Sequence, residues 1–259
     1  MEIPRQDTFE DLVNIVKILR SECPWDREQT HKSISHLLIE EAYEVKEAID
    51  CENDLELKKE LGDILLHVLM HSMIAEQRKS FTFNDVVKFI SSKLVQRHPH
   101  VFGDKVVKDS NEVKANWEQL KMKEGRNSIF DGMPLTMPAL QRAERVQEKA
   151  SKVGFDWENK KDVWKKVKEE LNEFEVELNN NDFEKTKNEF GDLLFSLVNY
   201  SRFLNILPEE ALHKTTNKFI SRFKYIEDKI KQQGKSISES SLEEMDNLWN
   251  EAKNKFHQV

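Results

Sequence analysis

Apolar residues recur along most of this chain at the three- and four-residue spacing of amphipathic helices. Phe9 to Arg20 reads as a first helix, followed by a loop holding Cys23-Pro24-Trp25-Asp26. From His36 to Asp50, Leu38, Ala42, Val45 and Ile49 fall within an arc of about 60°, which predicts a second helix with one apolar stripe. Asn53 or Asp54 can cap a third, Leu55 to Gln77, whose segment Ile64 to Ala75 is apolar on nearly every side and should be the most buried. Phe83 to Gln96 predicts a fourth helix, residues 97–104 a loop, and Asp109-x-x-Glu112 a capping box for a helix carrying Trp117.

Gly125, Gly132, Pro134 and Pro138 then interrupt the pattern and mark a linker. The expected division is a first helical domain at 1–122, a linker at 123–138 and a second domain at 139–259. Beyond the linker the plan repeats, with helices at Leu140–Ala150, Val163–Asn179, Phe183–Asn205 and Pro208–Lys231 and a last one carrying Trp249. A gapless offset of 129 carries Glu40, Glu41, Glu44, Glu60, Gly62 and Asp63 onto Glu169, Glu170, Glu173, Glu189, Gly191 and Asp192. The halves therefore share a charge geometry, and the expected fold is all-α with two tandem helical domains.

Composition narrows the chemistry. Seven Gly and six Pro in 259 residues are too few for a many-stranded sandwich or barrel. The glycines form no G-x-G and no Walker spacing, so any phosphate must be met by cations or metal ions. The net charge of −8 is spread without a basic block, which argues against a nucleic-acid partner. No stretch reaches the length of a membrane span, the first residues have no leader pattern, and two cysteines without a C-x-x-C give no zinc or disulfide framework. The expectation is a cytoplasmic protein with no membrane partner.

Residues three apart on a helix project on one side. Glu41 with Glu44 and Glu60 with Asp63 are two such pairs on consecutive helices, repeated as Glu170 with Glu173 and Glu189 with Asp192. A short connection makes those helices antiparallel, so four carboxylates face one cleft. Like charges held that closely, beside apolar helix, are costly unless a divalent cation sits among them. Oxygen donors without Cys or a consistent His favour Mg²⁺ or Mn²⁺, and Mg²⁺ commonly completes its shell with phosphate oxygens. Gly62 and Gly191, each in mid-helix between two acids, suggest a close helix approach.

The Glu40-Glu41-x-x-Glu44 and Glu60-Leu61-Gly62-Asp63 motifs, with their second copy, resemble those of the MazG-type nucleoside triphosphate pyrophosphohydrolases. The Cys-Pro-Trp-Asp loop, the Arg97–Phe102 segment, the Val153-Gly154-Phe155-Asp156-Trp157 loop and the tandem layout resemble the two-domain members as well. The resemblance implies an all-α homodimer that converts nucleoside triphosphates to monophosphates and pyrophosphate with Mg²⁺, as a house-cleaning activity. It implies metal ligands Glu170, Glu173, Glu189 and Asp192 in the favoured second copy, and Glu41, Glu44, Glu60 and Asp63 in the first. It further implies substrate contacts by Lys218, Arg222, Lys185 and Trp249, with Lys93 and Arg97 at matching spacing in the first half. Lys185 aligns with Glu56, so the copies differ in local charge.

Glu169 or Glu40, adjacent to the ligands, are candidates to orient or deprotonate the attacking water. His98 and His100 lack counterparts in the second half, and His67 becomes Ser196, so these histidines read as packing residues. Two other classes remain open at this level. Di-iron oxidases also place carboxylates in helical bundles, but their E-x-x-H element does not accompany these acids. A non-catalytic nucleotide sensor or scaffold would keep the metal site as a structural feature.

Overall fold

The computed structural model describes residues 4–109, 112–113 and 128–255. Among these every regular element is helical. The chain divides into two compact units, Met1–Ser110 and Asn111–Val259. The expected helix carrying Trp117 lies outside the described residues.

The first unit holds α1 (Phe9–Glu22), α2 (Pro24–Glu28), α3 (Ser35–Asp50), α4 (Asp54–Gln77), α5 (Phe83–Arg97) and α6 (Pro99–Phe102). Thr8 and Thr82 start α1 and α5 in the same way. Each hydroxyl accepts from the amide of Asp11 or Asp85, and that aspartate accepts from the threonine amide in return, so two otherwise unpaired donors are satisfied at each end. The Asn53 side chain caps α4 by accepting from the Glu56 amide.

As the pattern predicted, α4 is central, packed against α1, α3 and α5. Val16, Ile34, Leu69, Met70, Met73 and Ile74 form its buried core. Buried Arg20 clamps the first turn region to α4, donating to the Gln29 carbonyl at 3.1 Å and also to the Asp26 carbonyl and Gln77. Burial pushes its guanidinium down from the ordinary arginine value, and the charge of Asp26 partly offsets this.

The second unit contains α7 (Ala139–Ser151), α8 (Lys160–Asn180), α9 (Phe183–Phe203), α10 (Pro208–Gln232), a 3₁₀ turn at Ile237–Glu239 and α11 (Leu242–Lys255). α8 and α9 form a long hairpin, α7 packs on α9 and on α10, and α10 packs on α11. Ile226, Ile230 and Leu248 close the α10–α11 contact, with Phe223, Met245 and Trp249 against them. Gly154, at φ +89°, turns the chain after α7 so that Phe155, Asp156 and Trp157 come back toward the helices. Lys149 Nζ donates to the Ile129 carbonyl at 2.7 Å, so residues just before Gly132 lean on this unit.

Four expectations need correction. The Cys23–Asp26 loop continues as the short helix α2, and Pro99–Phe102 forms a single helical turn. Proline begins both, its preset φ and missing N–H suiting a first helical position. The stripe read along α3 is not its buried face: Ile49 is 55% exposed while Ala48 is buried, because α3 is rotated to bring Glu41 toward α4. Finally, a Cβ built on Gly62 or Gly191 meets nothing within 4 Å, so close approach of a helix of the same chain is not what places glycine there.

That last observation gives a direct expectation. Gly191→Ala should shift the denaturant midpoint upward, with about 0.5–1 kcal/mol of added stability from restored helix propensity. An unchanged or lowered midpoint would show that the glycine answers some other need.

Candidate metal and active site

The position of the carboxylates follows from the two helical hairpins. Glu52 and Asn181, the residues at the two turns, both adopt the left-handed conformation, at φ +52° and +56°. In the first hairpin Glu44 and Glu60 stand eight residues either side of Glu52, and Glu41 and Asp63 eleven. The second repeats this around Asn181, with Glu173 and Glu189 at eight and Glu170 and Asp192 at eleven. At 1.5 Å rise per residue, equal counts from one turn place each pair at the same height across the helix interface.

The side chains converge accordingly. One carboxylate oxygen from each of Glu41, Glu60 and Asp63 lies within 4.8 Å of the others. Glu44 joins through a hydrogen bond with Glu60. In the second unit Glu170, Glu173 and Glu189 converge within the same distance, and the charge of Asp192 acts on Glu189. Of the eight expected ligands, three from each copy thus form a mutual cluster and the fourth lies alongside. Partial burial, then the neighbouring acids, push the carboxyls of Glu41, Glu60 and Glu189 above the ordinary carboxylate value. Three or four oxygens this close, most of them without a cationic partner among the described residues, fit a hard divalent ion.

Glu40 is exposed and adds to the charge acting on Glu41. Glu169 is exposed and pairs with Lys166 at 2.7 Å. Lys166 also pairs with buried Glu170 at 2.8 Å, and these two hydrogen bonds raise its pKa so that it remains a cation. Lys166 was not singled out in the sequence, although its place one turn before Glu170 is a readable signal for such a pair.

The expected substrate cations are more dispersed. Exposed Lys185 lies 3.7 Å from Asp182 and 4.0 Å from Glu177. Arg222 is buried with its guanidinium 5.6 Å from the Trp249 ring, Trp249 is part of the α10–α11 core, and Lys218 is exposed on the same helix. Among the described residues neither Lys218 nor Arg222 makes an ion pair with a cluster carboxylate. In the first unit Lys93 lies over Phe89 at 5.7 Å and Arg97 is buried.

His67 is 8% exposed, its Nε2 is 4.0 Å from Glu41, and burial lowers its pKa, so it sits neutral at the edge of the first cluster. His98 packs back on its own helix, its Nδ1 2.7 Å from the Leu94 carbonyl.

The two copies differ beside the carboxylates. A cavity of about 640 Å³ opens next to the second cluster, where Glu170, Asp192 and Lys166 line it together with Phe155, Trp157 and Phe195. Ser196, Asn199 and Arg202 of α9 also face it. At the 129 offset these three positions are His67, Met70 and Met73, all buried in the first unit. The sequence reading noted that His67 becomes Ser196 but did not carry the comparison on to Asn199 and Arg202.

Known proteins share this pattern. The MazG nucleotide pyrophosphohydrolase domain model matches residues 29–102 and 158–226. A nucleoside triphosphate pyrophosphohydrolase/pyrophosphatase MazG from Thermotoga maritima is 48% identical over 250 residues, covering 95% of each chain. A nucleoside triphosphate pyrophosphohydrolase from Escherichia coli K12 is 40% identical over 251 residues, which cover 93% of this chain and 95% of its own. YabN, an uncharacterized protein of Bacillus subtilis, is 50% identical over 251 residues, which cover 95% of this chain and 51% of YabN.

The raised carboxyls have a sign that can be measured. Folding raises their affinity for protons, so they favour the fold below the ordinary carboxylate value of 4.5 and oppose it as pH rises through the raised values. In metal-free protein at pH 7, Glu189→Gln should therefore melt higher than the parent chain, and the gap should narrow as pH falls toward 4.5. Added Mg²⁺ should raise the parent's midpoint much more than the variant's. A variant that melts lower at pH 7 without metal would contradict the repulsion described.

Proposed function

We propose, from the premise that this chain belongs to the MazG family of nucleotide pyrophosphohydrolases, that its second carboxylate cluster is the place where triphosphate hydrolysis occurs. The activity is hydrolysis of nucleoside triphosphates to monophosphate and pyrophosphate, a reaction at an acid anhydride. The observation that carries the assignment to the second copy is the cavity: Glu170 and Asp192 are among its lining residues, so a nucleotide can lie there with its phosphates on the acids. The matching positions of the first copy are filled by buried His67, Met70 and Met73.

Glu170, Glu173, Glu189 and Asp192 would hold Mg²⁺, with Mn²⁺ as an alternative of the same oxygen-preferring kind. Such an ion supplies charge neutralisation for the triphosphate and activation of the attacking water. The protein's own part is positional. Glu170 and Glu173 from α8 meet Glu189 and Asp192 from α9 across a fixed register, and Lys166 adds a permanent positive charge at the cavity wall. Glu169, next to the ligands and paired with Lys166, would orient the water that adds across the α–β anhydride. As the bond to the leaving oxygen breaks, negative charge moves onto pyrophosphate, and Lys185 on α9 with Lys218 and Arg222 on α10 would be the cations that meet it.

In the first copy Glu41, Glu44, Glu60 and Asp63 form a comparable ion site, with Glu40 in the place of Glu169 and Lys93 and Arg97 on α5. We assign it a supporting role. The two-domain division, with its junction between residues 122 and 139, belongs to the same proposal, as does a homodimer. Phe89 is 69% exposed, Phe183 77% and Phe219 56%, apolar surface of the kind a second copy would cover. The triphosphate pool places the reaction in the cytosol. Among the described residues no helix is long and apolar enough to cross a membrane.

Incubation with each nucleoside triphosphate and Mg²⁺ should yield monophosphate and pyrophosphate; diphosphate and phosphate would overturn the reading. Glu170→Gln and Glu173→Gln should each lower kcat by about 10²–10³-fold, the scale of losing one preorganised electrostatic contact. Glu41→Gln should leave kcat within about threefold of the parent chain. The opposite order would move the active site to the first copy.

A further inference from the structure

The cavity beside the second cluster is also lined by polar residues whose hydrogen-bonding sense is fixed by their neighbours. Gln147 on α7 is 8% exposed, and its Nε2 donates to the Phe195 carbonyl at 2.8 Å. A carbonyl can only accept, so the amide nitrogen must face Phe195 and the oxygen must face away. That Oε1 is buried and has no hydrogen-bond partner. Buried carbonyl oxygens rarely stay unpaired, and one that does points to a missing partner.

Asn199 on α9 is oriented by the same logic in the opposite sense. Its Oδ1 accepts from Arg202 Nε at 3.3 Å and from Nη2 at 3.0 Å. Arginine only donates, so the Asn199 oxygen is committed to it and the amide N–H₂ is left over. Arg202 is itself held by Asp156, with Nη1 to Oδ2 at 2.9 Å, and the two charges offset each other. Gln147, with its unpaired oxygen, and Asn199, with its uncommitted amide, thus both line a cavity that Phe155, Trp157 and Phe195 also line.

We propose that Gln147 and Asn199 are the base-reading pair of this chain, Gln147 accepting from an N–H of the nucleobase and Asn199 donating to an adjacent ring lone pair or carbonyl. The inference rests on the assignment of hydrolysis to the second cluster and names the part of the substrate that the cavity holds. Each common base carries a neighbouring donor and acceptor on one edge, so the pair demands a hydrogen-bonding edge without selecting among the four. Gln147 lies outside both segments matched by the family domain, so this half of the pair is a feature of the helix preceding it.

The test compares UTP with N3-methyl-UTP and ATP with N6,N6-dimethyl-ATP, since methylation removes the N–H that Gln147 would receive. The parent chain should show kcat/KM about 10- to 100-fold lower for each methylated nucleotide, carried mainly by KM, as expected when a buried acceptor stays unpaired. Gln147→Leu should bring each ratio to within about threefold. Calorimetric titration of metal-free protein with AMP and N6,N6-dimethyl-AMP gives the same comparison without turnover. It decides the matter even if Gln147→Leu fails to fold or the parent chain proves inactive. Equal binding and equal turnover of methylated and unmethylated nucleotides would overturn the base-reading pair and leave the hydrolytic assignment standing. Loss of turnover on all nucleotides, with discrimination kept in the titration, would overturn the hydrolytic assignment alone.

Discussion

Everything at the candidate site depends on the register of a helical hairpin. Two helices joined by two or three residues, one of them left-handed, have little freedom to slide, so counting from that residue decides which side chains meet across the interface. Glu52 and Asn181 set that count in the two copies, and the acids stand at equal distances on both sides of each. A slip of one residue would rotate the acids about 100° away from one another on the helical wheel. The left-handed turn is thus a site-forming element, although it lies roughly 15 Å along the helix axis from the outermost acids.

Converging carboxylates oppose the fold they sit in, and the surrounding structure must offset this. In the first unit the buried core around Leu69, Met73 and Ile74 lies further along the same helix that carries Glu60 and Asp63, so α4 is anchored at its apolar end and charged at the other. Arg20 adds a clamp between α1, α2 and α4. In the second unit α9 is held by α7 as well as by α8, and the Asp156–Arg202 pair ties the turn after α7 to α9. Local sequence choices that look unfavourable, such as acids facing acids, are those expected at a functional site and are tolerated because the packing elsewhere is consistent.

The helices were legible because their apolar positions repeat at helical spacing over long segments and because Gly and Pro are rare. The carboxylate clusters were legible because i, i+3 spacing on two consecutive helices leaves few alternatives. Less legible was anything set by how one helix is rotated against another. The buried face of α3 was misread by one position at Ala48 and Ile49, since the apolar stripe alone does not include the pull of the acid register. Gly62 and Gly191 were read as contact points and meet open space. Gln147, Asn199 and Arg202 gave no signal because an amide or an arginine on a polar helix is indistinguishable in sequence from a solvated residue. Only the partners, Phe195 and Asp156, reveal their commitment.

Duplication and divergence meet on α4 and α9. Both helices keep the acids near their start, and one turn later they part: α9 continues with Ser196, Asn199 and Arg202, whereas α4 continues with His67, Met70 and Met73. The first set lines an open space with polar groups, whereas in the second Met70 and Met73 belong to the buried core of the first unit. On the proposed reading, the first charge cluster would keep the capacity for an ion while the second would also have room for a base. Stability and activity are then separable demands in the two copies: α4 gains apolar burial where α9 gives it up to form a cavity. The same ancestral hairpin can serve one unit as an ion-dependent support and the other as a site with room for a nucleotide, and the difference lies in three side chains on one helical face.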